Sequence, residues 1–124
     1  MHSFDNKQST FDANVNGLLY ICDAVLALKL TQKSKIFHAS TSEMFGEVVR
    51  SHDEYLVTER NPFNPMSPYA VSKISAYYLV QYYKNVHRMF ICTGLTFNHE
   101  SPFRHETFIT RKITKAVARI KTGL

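Results

Sequence analysis

Tyr69 and Lys73 stand four residues apart, and on a helix that spacing puts them on one face, one turn from each other. An ammonium beside a phenol favours the phenolate. The pair therefore predicts a tyrosine drawn below its reference pKa of roughly 10, usable as a base near neutral pH. Upstream, Ala39-Ser-Thr-Ser-Glu43 supplies a hydroxyl at Thr41 that can donate to a sugar oxygen and a carboxylate at Glu43 that can move a proton. Taken singly these are commonplace: most Tyr-x-x-x-Lys pairs are helix-surface residues, and a Thr and a Glu after a strand usually make turns and caps. Their meaning depends on the elements that hold them.

Ser67 is a good N-cap, and Pro68 suits the first helical position, where its missing N–H costs nothing. A helix is predicted over about 69–87, with Tyr69 and Lys73 at its N-terminal mouth. Before it, Phe11, Val15, Leu18, Leu19, Cys22, Val25 and Leu26 recur at three- and four-residue steps, predicting an amphipathic helix from about Ser9 to Lys29. Ser9 or Thr10 can cap that helix, and Asp12 and Asp23 need no role beyond charge and solubility. Lys35–Ala39 and Met89–Leu95 are short apolar runs that read as buried strands. Between Gly46 and Pro65 lies a polar, proline-bearing connection of about twenty residues, longer than a passive loop usually is. Asn98 to Arg104 reads as a loop broken by Pro102.

A last helix, about Glu106 to Lys121, places Ile109, Ile113, Ala116, Val117 and Ile120 on one face, with basic residues near its end and Gly123 as the residue that stops it. The order helix, strand, helix, strand, helix implies an α/β fold with parallel pairing. Two short parallel strands do not complete such a sheet, which is normally several strands wide and covered on both faces. The chain reads as the second half of a larger doubly wound domain.

Composition is consistent with one small packed unit. The 124 residues are 44% hydrophobic and 20% charged, with seven Tyr and nine Phe, which excludes a disordered segment. The net charge of +5 admits nucleic acid, membrane surfaces or phosphorylated small molecules as partners. Arg111, Lys112, Lys115, Arg119 and Lys121 carry much of the excess, either as a solvated helix face or as a surface for an anionic nucleotide. No nucleic-acid-binding signature is present. Cys22 and Cys92 each lie in an apolar run and read as small buried hydrophobes, and the six histidines have no metal-ligand spacing. Polar residues follow Met1 and no apolar run approaches about 18 residues, so the cytoplasm is the expected compartment and no membrane is expected as a partner.

Four segments occur together and in order: Ala39-Ser-Thr-Ser-Glu-Met-Phe-Gly46, Asn64-Pro-Met-Ser-Pro-Tyr-Ala-Val-Ser-Lys73, Phe97-Asn-His-Glu-Ser-Pro102 and Phe108-Ile-Thr-Arg-Lys-Ile113. This pattern resembles the GDP-mannose 4,6-dehydratases, extended short-chain dehydrogenase/reductases, from about Thr10 to Gly123. The Tyr-x-x-x-Lys pair marks only the superfamily, whereas Asn98-His-Glu-Ser-Pro102 followed by Thr-Arg-Lys is far more specific. The resemblance implies a partial Rossmann-like fold in which residues 1–124 are part of an NADP-binding catalytic domain, without its N-terminal Gly-rich βαβ unit or C-terminal substrate region.

It also implies a chemistry: conversion of GDP-mannose to GDP-4-keto-6-deoxymannose with NADP. By the resemblance, Tyr69 takes the proton of the C4 hydroxyl, Lys73 holds the nicotinamide ribose, and Thr41 bonds the C4 oxygen. Glu43 abstracts the C5 proton once C4 is a ketone. His99 and Arg104 are implied as cofactor contacts with Tyr69 and Lys73. Asn98 and Lys112 are implied as contacts to the substrate's nucleotide phosphates, with no metal.

Several positions depart from the family pattern. Phe103-Arg104-His105 stands where the family has Arg-Arg-Gly, Ser9 stands where it has a tyrosine, and the connection from Gly46 to Pro62 is a few residues longer. Gly17, Gly46, Gly94 and Gly123 are scattered, and no G-x-G-x-x-G turn for a pyrophosphate can be read. A neighbouring reading is another nucleotide-sugar dehydratase or epimerase, against which Asn98-His-Glu-Ser-Pro102 argues. A third is a non-catalytic homo-oligomerisation module, because in this superfamily the helices matching residues 10–29 and 69–87 pair between subunits.

Overall fold

The computed structural model describes residues 2–47 and 57–123. One helical turn, α1 (His2–Asp5), precedes a longer helix that begins at α2 (Lys7–Phe11), passes through a π-helical turn at Asp12–Asn16 and continues as α3 (Gly17–Ala27). Ser9 and Thr10 do not cap it. Both lie inside the helix, and their hydroxyls donate back to the Asn6 carbonyl at 3.1 and 2.8 Å, an alternative open to any Ser or Thr in a first turn.

Strand β1 (Lys35–Ala39) has the bounds that its apolar run predicts, and a 3₁₀ turn (Ser42–Phe45) follows. The expected connection after Gly46 falls partly on residues 48–56, outside the described residues. Helix α4 (Pro68–Val86) begins with Ser67 as its cap and Pro68 in its first turn. Strand β2 (Phe90–Gly94) leads to the loop before α5 (Ile109–Thr122), which ends at Gly123 in the left-handed conformation, φ 74°. α5 starts later than expected because the Thr107 and Phe108 amides bond back to His105 and close a turn there.

β1 and β2 pair in parallel, from Lys35 opposite Phe90 to Ala39 opposite Gly94. Leu18 and Cys22 of α3, Ala76, Val80 and Tyr83 of α4, and Met89 and Ile91 form the core, with Ile36 packed against it. The helices thus cover one face of the sheet. The other face is open among the described residues, with Phe37 65% and Phe90 62% exposed. The reading of both strands as buried is corrected to this extent: one helical layer buries one side of a pleated strand, and alternate side chains point away from it. Cys92 follows the same rule. Ile91 points inward, so Cys92 points outward and is exposed, whereas Cys22 is buried.

Asp23 also acquires a role that its charge alone did not indicate. It accepts a 2.6 Å hydrogen bond from the Tyr83 hydroxyl, clasping α3 to α4 over 60 residues of sequence. Burial, and then the Asp23 carboxylate, push the Tyr83 phenol well above its ordinary pKa. Asp12 accepts from the Asn16 amide at 2.8 Å within the π turn. No residue of α5 is buried, and its apolar stripe is open, with Ile109 68% and Ile120 77% exposed. No helix among the described residues is long and apolar enough to cross a membrane.

The clasp sets a measurable alkaline limit. A phenol held protonated by the fold ionises more readily in the unfolded chain, so its contribution is whole below about pH 10 and is lost as pH rises. Tyr83→Phe is expected to lower stability by about 1–3 kcal/mol at neutral pH. It should also make the loss of stability above about pH 10 shallower. Urea unfolding followed by circular dichroism across that range reads both.

Candidate active site

The C-terminal end of β1, the N-terminal end of α4 and the loop after β2 converge. Two caps fix the carriers of the chemistry. Ser67 accepts the Ala70 amide at 3.0 Å to start α4, and Thr41 accepts the Glu43 amide at 3.2 Å to start the 3₁₀ turn. Beyond the strands, the Ser40 amide donates to the Gly94 carbonyl at 2.9 Å and the Thr96 hydroxyl to the Ser40 carbonyl at 2.6 Å. These bonds carry the pairing of β1 with β2 into the loops that line the site.

The 3₁₀ turn is anchored from below. Met44 and Phe45 are buried, Phe45 meets Phe63 at 5.4 Å, and Phe63 meets Tyr77 of α4 edge-on at 5.1 Å. The Asn64 amide donates to the Met44 carbonyl at 2.9 Å, an approach that Gly46 makes possible. Gly46 has φ 60° and ψ −144°, a region nearly closed to other residues, and a Cβ there would land on the Asn64 carbonyl oxygen.

Tyr69 is half-buried in this junction, and the direction of its pKa is the reverse of the one its spacing from Lys73 predicts. Burial raises the phenol above its ordinary value, a hydrogen bond with Thr41 pulls it down, and the Glu43 charge raises it. Lys73 does not counter this. Its ammonium turns to the Ala39 carbonyl, to which it donates at 3.1 Å, and lies 5.7 Å from the centre of the Tyr69 ring. Burial lowers the Lys73 pKa itself, and His38 is lowered by burial and by the nearby Lys73 charge. The exposed Glu43 carboxylate accepts from the Ser67 hydroxyl at 3.2 Å.

A cleft of about 240 Å³ opens over these residues, lined by Thr41, Glu43 and Tyr69 on one side and Asn98, His99 and Arg104 on the other. Tyr69 and Glu43 also line a second hollow of about 420 Å³ toward Ser3, Phe4 and Asn14. His99 Nδ1 lies 2.9 Å from the Phe97 carbonyl. Arg104 stacks on the Phe108 ring at 3.5 Å, and its buried Nε faces the Glu100 carboxylate at 3.4 Å, an ion pair without hydrogen-bond geometry. Lys73 stands one turn behind Tyr69. Lys112 is not brought to the cleft: it is exposed on α5, beside Glu106, Lys115 and Arg119, in a separate hollow. Among the described residues no group of His, Cys, Asp and Glu could hold a metal ion.

One network escapes sequence reasoning. The Asn14 amide, in the π turn, donates to the Ser72 hydroxyl at 3.0 Å, which donates to the Tyr69 carbonyl at 2.7 Å. The available signal was a polar residue between Phe11 and Leu18 on the face that otherwise reads as apolar.

A parallel strand pair with its helices on one side, and with its reactive side chains beyond the strands' carboxyl ends, is half of a Rossmann-like domain. Solved structures share that fold. RMD from Pseudomonas aeruginosa, complexed with NADPH, superposes with a TM-score of 0.91 at 24% identity, over 99% of this chain and 41% of that one. DesIV, a dTDP-glucose 4,6-dehydratase from Streptomyces venezuelae with NAD and TYD bound, gives a TM-score of 0.76 at 22% identity, over 98% of this chain and 35% of that one.

The family model described as GDP-mannose 4,6 dehydratase matches residues 1–124, and the chain belongs to that family. It is 47% identical over 118 residues to GDP-mannose 4,6 dehydratase 2 of Caenorhabditis elegans, covering 95% of this chain and 30% of the relative. It is 43% identical over 122 residues to GDP-mannose 4,6-dehydratase of Vibrio cholerae, covering 98% of this chain and 32% of the relative. The chain therefore spans about a third of the length of the curated relatives it matches.

Gly46→Ala tests the anchoring of the site. Backbone strain together with the clash at Asn64 is expected to cost at least about 2 kcal/mol, read by denaturant unfolding. The protection of the Asn64 amide against hydrogen exchange should fall with it.

Proposed function

We propose that this chain carries the catalytic side of a GDP-mannose 4,6-dehydratase site, acting with NADP in the cytoplasm, and that residues 1–124 are part of its nucleotide-binding domain. The observation that carries the reading is convergence: three family motifs far apart in sequence meet at one cleft, with Thr41, Glu43 and Tyr69 facing Asn98, His99 and Arg104.

The residues present fit one end of a nicotinamide dinucleotide. The Lys73 ammonium suits a ribose hydroxyl, and the Arg104 guanidinium, paired through its Nε with Glu100, has the charge and donors that suit a phosphate. The scattered glycines offer no cradle for the pyrophosphate, so the fit covers only the reactive end. When bound, NADP supplies the hydride acceptor and donor that this chemistry needs.

In this reading Thr41 fixes the C4 oxygen of the sugar and Tyr69 takes the proton of its hydroxyl. The raised phenol pKa means that Tyr69 rests protonated at neutral pH, and it becomes a base only when a positive charge beside it draws the pKa down. A ketone at C4 makes the C5 proton acidic. Glu43 abstracts that proton, and water leaves from C6. Asn98 holds the nucleotide part of the substrate. The place of Lys112 on α5 gives it no contact with this cleft.

Incubation with GDP-mannose and NADP tests the reading. Because this chain's glycines form no pyrophosphate cradle, the 4-keto-6-deoxy product is expected where a Gly-rich nucleotide-binding turn is supplied alongside it, with Tyr69→Phe slowing its formation by about 10²–10⁴-fold. Glu43→Gln should let the C4 oxidation proceed, seen as NADPH absorbance, while product formation stops. Turnover unaffected by Tyr69→Phe would sink the assignment.

A second reading rests on separate residues. α3 and α4 expose Tyr20 and Ile21, and Tyr78, Tyr82 and Val86, a paired apolar surface suited to a second copy of the chain through residues 10–29 and 69–87. Self-association by light scattering is expected, and a strictly monomeric mass at tens of micromolar would count against it.

A further inference from the structure

Ser67 does two things with one hydroxyl. Its oxygen accepts the Ala70 amide at 3.0 Å, which starts α4, and its proton is donated to Glu43 Oε2 at 3.2 Å. A serine hydroxyl has one donor and two acceptor positions, so the two bonds are compatible. Glu43 is exposed and sits in a short 3₁₀ turn, where an unrestrained carboxylate samples several rotamers. No other side-chain hydrogen bond to that carboxylate is made among the described residues. Tyr69, two residues after Ser67, lines both hollows with Glu43.

We propose that Ser67 is a positioning residue for Glu43. It ties the carboxylate that serves the elimination step to the helix that carries Tyr69 and Lys73, so that both proton-transfer groups keep one register. This rests on the roles given to Glu43 and Tyr69 above. Proton transfer needs heavy atoms at about 2.6–3.2 Å, and a misplacement of about 1 Å can cost a hundredfold, so a carboxylate freed from Ser67 loses the geometry that elimination requires. A serine that is only a helix cap would have no such effect.

Three substitutions separate the two roles. Ser67→Ala removes both bonds. Ser67→Asp keeps a strong cap but cannot donate at neutral pH and sets a second carboxylate against Glu43. Ser67→Thr keeps both. In the ¹³C-glutamate- and ¹⁵N-labelled chain, the Ala70 amide should exchange roughly five- to tenfold faster in Ser67→Ala and at the parent rate in Ser67→Asp and Ser67→Thr. The Glu43 carboxyl-carbon resonance should move in Ser67→Ala and Ser67→Asp and return to its place in Ser67→Thr. With GDP-mannose and NADP, Ser67→Asp should keep C4 oxidation near the parent rate and lower product formation by roughly ten- to a hundredfold, with Ser67→Thr restoring it.

A Glu43 resonance unmoved in Ser67→Ala would overturn the proposal and leave Ser67 as a cap. Absence of product even with a Gly-rich nucleotide-binding turn supplied would count against the proposed function instead, and the resonance comparison would still decide the role of Ser67.

Discussion

The hydrogen bond from the Lys73 ammonium to the Ala39 carbonyl, 3.1 Å long and spanning 34 residues of sequence, sets the geometry on which the rest of the site depends. Ala39 is the last residue of β1, so the bond pins the first turns of α4 to the carboxyl end of the sheet. It acts with the buried Ala76, Val80 and Tyr83 to set how the helix meets the sheet. Tyr69, one turn earlier on the same face, is thereby held against Thr41 at the mouth of the cleft. A half-buried ammonium needs an acceptor, and in taking one from the backbone Lys73 organises the strand end and the helix together.

The same bond explains the electrostatics of the tyrosine. Lys73 points to Ala39 rather than to the Tyr69 hydroxyl, and the balance of burial, Thr41 and Glu43 leaves the phenol raised. The phenol therefore rests protonated at neutral pH, and in the proposed reaction it acts as a base only once a positive charge beside it lowers its pKa.

Much of this was legible in the residues, and the reasons are local. Ser67-Pro68 specifies a helix start by cap chemistry and ring geometry, and Lys35–Ala39 is a compact apolar run between polar ends, so both elements fall where their residues put them. What was not legible depends on neighbours distant in sequence. Whether the outward-pointing Cys92 is buried is set by how many layers cover the sheet, and the role of Asp23 is set by Tyr83 arriving from another helix. Spacing brought Tyr69 and Lys73 together correctly but could not show that the ammonium would turn to a carbonyl. Lys112 shares a motif with the site residues, yet α5 sets it apart from the cleft, because sequence order does not fix a helix's azimuth.

The π turn at Asp12–Asn16 has a consequence for how this stretch can change. Such a turn is an α-helix carrying one residue too many, and each helical residue advances the azimuth by about 100°. The extra residue acts as a phase shift between two segments. It lets Thr10 and Leu18 both face inward while Asn14, between them, reaches Ser72. Deleting one residue within it would restore a regular helix and remove the wide turn from which Asn14 reaches Ser72. The length of the stretch between Phe11 and Gly17, as much as its side chains, decides whether Asn14 meets the helix that carries Tyr69.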